Sequence, residues 1–145
     1  MSQTPALARP RIMRRAIAIV LAVAMSGNGL VMLAAGPWWY TAVPGVTETG
    51  PFNPHFVKDI GAAYLVAGLG LAWLGLRPME AAARGAAMAG AAFLVLHAGI
   101  HLVEAIGHPA GLADLTRDFP GVILPAILAA WVAWSPVRKL EPSHA

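Results

Sequence analysis

Polar and apolar positions separate this chain into four apolar blocks, residues 16–36, about 56–76, about 85–107 and about 120–136, divided by shorter polar stretches. Each block is near the roughly 20 residues that a helix needs to cross bilayer hydrocarbon. None shows the strict alternation of a barrel strand, and a helix satisfies its own backbone hydrogen bonds where no water can. The pattern predicts an all-α integral membrane protein: a four-transmembrane-helix bundle in one domain, with longer loops over 37–55 and 108–119. The polar tails, 1–15 and 137–145, are too short to fold alone.

Composition agrees, since 58% of residues are hydrophobic and only 12% charged, outside the range of an ordinary soluble domain. Charge then orients the bundle. Arg9, Arg11, Arg14 and Arg15 precede the first block, Arg77 and Arg84 bracket the second connection, and Arg138 and Lys139 follow the last block, against only Lys58 and Arg117 on the other side. The positive-inside rule predicts cytoplasmic N and C termini and outward long loops. The net charge of +3 thus reports topology, and no basic, aromatic-interleaved groove speaks for nucleic acid. Ala22-Val23-Ala24 resembles a signal-peptide cleavage site. The apolar run continues through Leu30 to Ala35, longer than a signal core of about 7 to 15 residues, which favours an uncleaved helix. With no cysteine, disulfides and thiolate chemistry are excluded, so a metal would have nitrogen and oxygen ligands.

Candidate chemistry lies in the third block, in His97-Ala-Gly-Ile-His101-Leu-Val-Glu104. Ionisable groups at membrane depth are costly and need partners or a task. At about 100° per residue, Glu104 falls about 20° to one side of His97 and His101 about 40° to the other. In the second block, Asn53-Pro54 is a good helix start, which puts His55 in the first turn and Asp59 four residues later on its face. With a rise of about 1.5 Å per residue, His97, His101, Glu104 and Asp59 converge near the outer boundary, with Asn28 of the first block level with His97. His108 continues the stripe by angle, but Pro109 disfavours helix there.

Three readings compete. Imidazole and carboxylate together suit a transition metal (iron, copper, zinc or manganese), with His55, His97, His101 and Glu104 as ligands and Asp59 ligating or fixing a tautomer. A metal-free polar network would bind a quinone or other small ligand. Under the third reading the groups merely satisfy one another or reach to the interface. Haem is less favoured, because His97 and His101 on one face cannot flank a porphyrin. A hydrolase is disfavoured by the absence of a nucleophile elbow, phosphate loop or zinc-protease motif. Whether the chain is an enzyme is open. Gly61, Gly68, Gly70 and Gly75, with Gly85, Ala89 and Gly90, allow close helix approach. Trp38, Trp39 and Tyr40 at one end and Trp131 and Trp134 at the other read as interfacial belts.

The stretch Pro37-Trp38-Trp39-Tyr40, Pro44-Gly45-Val46, Thr49-Gly50-Pro51-Phe52-Asn53, His55-Phe56 and Asp59-Ile60-Gly61 resembles small bacterial four-helix membrane proteins, themselves distantly similar to the DoxX-like group. That resemblance implies a respiratory or redox accessory context and assigns no catalytic residue. The combined expectation is a bacterial inner-membrane bundle whose periplasm-facing pocket binds a metal or small redox ligand, with Asn28 and Asp59 beside the metal-ligating set. The alternative is an accessory or assembly subunit packed against a larger membrane complex, or against further copies of itself, through its small-residue faces.

Overall fold

A computed structural model of the chain describes residues 8–135. Arg138 and Lys139, which enter the charge asymmetry, lie outside the described residues, as does the end of the fourth block at Pro136. Six α-helices follow in order: α1 (Ala8–Ala34), α2 (Gly36–Ala42), α3 (Pro54–Leu76), α4 (Ala81–Gly107), α5 (Gly111–Asp118) and α6 (Leu124–Trp134). No strand occurs among the described residues. Four helical stretches are long and apolar enough to cross a membrane: Arg11–Ala34, Pro54–Leu76, Ala81–Gly107 and Gly111–Trp134. Their outer faces carry large apolar side chains, among them Val20, Val23, Val66, Leu69, Leu96 and Ile127. Such an all-round apolar surface suits lipid and not water.

The ends of these helices follow from local chemistry. Asn53 caps α3, its Oδ1 accepting from the backbone N–H groups of His55 and Phe56 at 3.1 Å each, and Pro54 takes the first turn. Helix α1 stops at Ala34 because Gly36-Pro37 interrupts it, and Pro37 instead opens α2. The stretch 108–119, expected as a loop, is helical from Gly111 onward. Leu112, Leu115 and Phe119 give it a helical apolar period that Asp114, Arg117 and Asp118 obscure in the sequence. A π-helical turn, Phe119–Ile123, then joins α5 to α6, with the Leu124 N–H reaching the Phe119 carbonyl. Pro120 and Pro125 lack the N–H groups of a regular ladder, and the wide turn accommodates that loss.

Helix α1 packs mainly on α3, α3 on α4, and α4 on the α5–α6 arm, and α1 also meets α6. The shared core is built from Met25 and Met32 of α1, Leu71 and Leu74 of α3, Leu94 of α4 and Val132 of α6, with many alanines between them. Glycines Gly61, Gly68 and Gly75 recur every seven residues on α3 and face α1. Two turns bring such positions back to one face, and the missing side chains let the backbones touch. A Cβ on Gly29 would lie 2.5 Å from the Gly61 carbonyl oxygen, and one on Gly90 would lie 2.8 Å from the Ala67 Cα.

At the end of the bundle where α1 begins and α3 and α6 stop, arginines cap helix C-termini. Arg15 Nε donates to the Gly75 carbonyl at 3.1 Å, Arg14 Nε to the Val132 carbonyl at 2.9 Å, and Arg84 to the Ser135 carbonyl. Cations there complement both the orphan carbonyls and the helix dipole. The residues that suggest topology by their charge therefore also close the bundle.

Candidate functional site

The opposite end carries the polar chemistry. The loop after α1 folds back onto the helices: Trp39 Nε1 donates to Asn28 Oδ1 at 2.9 Å, and the Tyr40 hydroxyl donates to the Gly50 carbonyl at 2.6 Å. Tyr40 and Phe52 rings pack at 5.3 Å between centroids. Asn28 therefore anchors the loop, and its amide nitrogen approaches Met32 Sδ at 3.6 Å.

Helix α4 buries a line of residues at alternating steps of three and four: Ala91, Leu94, Ala98 and Ala105. His101 falls on that line, and its side chain is 24% exposed. Its Nδ1 lies 2.7 Å from Oδ2 of Asp118, at the end of α5. A carboxylate only accepts, so the proton sits on Nδ1 and leaves Nε2 facing away from Asp118. Asp118 Oδ1 in turn accepts from Arg117 Nε at 2.9 Å. Arg117 Nη1 also reaches Glu48 Oε2 of the loop at 3.0 Å and Asp114 Oδ1 at 3.1 Å. Asp114 Oδ2 completes the chain on His108 Nδ1 at 2.7 Å.

The result is a network of two Asp–His pairs joined through one guanidinium, tying α4, α5 and the first loop together. Its charge is lopsided. Three carboxylates face one arginine, so the network carries excess negative charge unless its imidazoles take up protons or a cation approaches.

His97, half-buried one turn before His101, presents its ring at 4.9 Å between centroids, inclined by 69°. Phe93 stacks on the His97 ring at 5.9 Å and 20°, and Tyr64 of α3 meets it edge-on at 5.7 Å. Two imidazoles thus sit side by side, one held by aromatic rings and the other by a carboxylate.

The other expected site residues lie elsewhere. His55 Nε2 and Asp59 Oδ2 are 3.4 Å apart, but their side chains are 88% and 62% exposed, so they form a local surface pair on the first turns of α3. Glu104 is exposed, because it lies off the buried line that Leu94, Ala98, His101 and Ala105 define. The four-ligand shell of His55, His97, His101 and Glu104 is not assembled. Among the described residues no three His, Asp or Glu side chains are grouped closely enough to hold one metal ion. Two cavities, about 230 Å³ beside Met32, Phe52 and Lys58 and about 330 Å³ between α3 and α4 beside Ala63, Gly90 and Phe93, are not lined by His97 or His101.

Asp118, Asp114 and Glu48 were not among the sequence-derived site residues, and Arg117 entered only as a topology charge. The signal was present in Asp114-x-x-Arg117-Asp118 after Gly111, a helical spacing of opposite charges. Gly111 makes the fold-back possible, since a Cβ there would collide with the Ala105 carbonyl. Comparison of the chain with protein-family models, curated proteins and solved structures finds no match.

Proposed function

We propose that the chain is a multi-pass bacterial inner-membrane protein, both termini cytoplasmic, whose periplasmic end binds a small redox ligand or a transition-metal ion at the imidazole pair His97 and His101. The observation that carries this reading is the 2.7 Å contact of Asp118 with His101 Nδ1, which fixes the tautomer and aims the basic Nε2 away from the network. A carboxylate behind an imidazole is the usual support for a metal-binding or hydrogen-bonding histidine. Two imidazoles supply at most two donors to a metal, so the remaining positions would fall to water or to the incoming ligand. The negative excess of the network favours a cationic occupant. A resemblance to small bacterial four-helix membrane proteins, distantly similar to the DoxX-like group, would imply a redox accessory role.

Elemental analysis and an absorption spectrum of freshly isolated protein test this, beside His97→Ala and His101→Ala. A stoichiometric metal or chromophore lost in both variants is the expected result. Its absence from wild type favours the second reading, an accessory subunit without chemistry of its own. That reading draws support from the groove of Ala62, Ala63, Ala67, Ala89 and Gly90 on the α3–α4 face, which a neighbouring transmembrane helix would fit.

A further inference from the structure

The basic end of the bundle holds an electrostatic imbalance of the opposite sign. Arg14 of α1 and Arg84 of α4 both reach the end of α6, at carbonyls three residues apart, which brings the two cationic side chains to one place. Each spends one N–H on a neutral carbonyl of the α6 terminus, at Val132 and at Ser135. Arg14 Nη2 and Arg84 Nε are buried and have no hydrogen-bond partner among the described residues. No carboxylate pairs with either arginine among the described residues, since the nearby Glu80 is taken by Arg77 at 3.7 Å and by Trp73 Nε1 at 2.8 Å. The partial negative charge of a helix C-terminus, about half a unit, is too small to balance two guanidinium groups.

A buried, unsatisfied N–H on a charged group is costly, and two adjacent like charges add to that cost. One ligand chemistry relieves both. A phosphate group brings negative charge and several acceptor oxygens, and arginine's planar fork matches it. In a bundle that spans a membrane, this end lies at headgroup level, where basic pockets between helices take anionic lipid headgroups. A carboxylate would offer fewer acceptors to donors arriving from two different helices. We infer that Arg14 and Arg84 form an anion site between α1, α4 and α6 that takes a phosphate group, from an anionic phospholipid headgroup or from free phosphate.

The test is thermal unfolding of the full chain, stripped of lipid in neutral detergent, with added phosphatidylglycerol, phosphatidylcholine, inorganic phosphate, or chloride at matched ionic strength. Saturating phosphatidylglycerol is expected to raise the wild-type midpoint by about 5 °C, with chloride and phosphatidylcholine giving no comparable rise. The rise is expected to vanish in Arg14→Gln and Arg84→Gln and to persist in Arg77→Gln. An arginine-dependent rise with inorganic phosphate alone upholds the site and identifies a soluble source. If the glutamine variants do not fold, Arg84→Lys keeps the charge but loses Nε, and its rise should fall to half or less. A wild-type midpoint that neither phosphate source moves, or a rise that survives in Arg84→Lys and the glutamine variants, overturns the inference.

Discussion

Asp118 Oδ2 lies 2.7 Å from His101 Nδ1, joining the end of α5 to the buried line of α4 across seventeen positions of sequence. With side chains 12% and 24% exposed, the pair is shielded enough for its charge-assisted bond to matter. It also connects, through Arg117, to the loop that closes this end of the bundle.

Breaking that pair should therefore cost stability. Asp118→Ala leaves both His101 and Arg117 short of a partner and is expected to destabilise the fold by about 1–3 kcal/mol. A double-mutant cycle of Asp118→Ala with His101→Ala, followed by unfolding in detergent, should return a coupling of about 1.5–3 kcal/mol. The same cycle on His55 and Asp59, exposed and 3.4 Å apart, should return no measurable coupling.

The close approach of α1 and α3 makes a graded prediction about glycines. Gly29→Ala places a methyl group 2.5 Å from the Gly61 carbonyl oxygen, and backbone cannot move aside as a flexible side chain would. Its expected cost is about 1–3 kcal/mol. Gly27→Ala and Gly85→Ala meet nothing within 4 Å and should be neutral or stabilising by up to about 1 kcal/mol, through helix propensity. Melting curves of the three variants decide it.

One indole ties the loop back to α1. Trp39→Phe keeps an aromatic ring but removes the 2.9 Å donor to Asn28 Oδ1, at an expected cost of about 0.5–1.5 kcal/mol. The loop should also become more accessible, so limited proteolysis within residues 43–53 is expected to speed up in Trp39→Phe and in Asn28→Ala.

Topology can be read directly because the chain has no cysteine. Thr41→Cys, near the end of α2, should label with an impermeant thiol reagent from the periplasmic face. Met79→Cys, in the turn between α3 and α4, should label only once the membrane is opened.

Much of the architecture was legible from the chain. Runs such as Ile17–Met25 and Leu65–Leu76 are apolar on every face, which only lipid or a deep core accepts, and Asn53-Pro54 announces the start of α3 by cap chemistry alone. The candidate site is legible only in its histidine pair. Spacing placed His97 and His101 on one face, and the structure sets their rings side by side. The same spacing included Glu104, because a window of angles does not say which edge of the stripe turns inward, and the alanines at 98 and 105 decide that. Depth alone puts His55 and Asp59 level with the histidines, whereas the two pair with each other at 3.4 Å within one turn. Asp118 could not be found from α4, since its approach depends on a glycine turn at Gly111 and a short helix whose charges hide its period. The arginine caps of α3 and α6 were equally hidden, because a charge count records side and not partner.

In the proposed function Asp118 holds His101 as an imidazole protonated at Nδ1, with Nε2 left to act together with His97. Nitrogen NMR of the histidine rings tests it most directly, at a pH well above the ordinary imidazole value of about 6.5 and during titration with cobalt(II). The expected result is a proton on His101 Nδ1, loss of that preference in Asp118→Asn, and metal-induced changes at His97 and His101 together. A His101 ring protonated at Nε2, or a pair of rings indifferent to the ion while the exposed His55 responds, would contradict it.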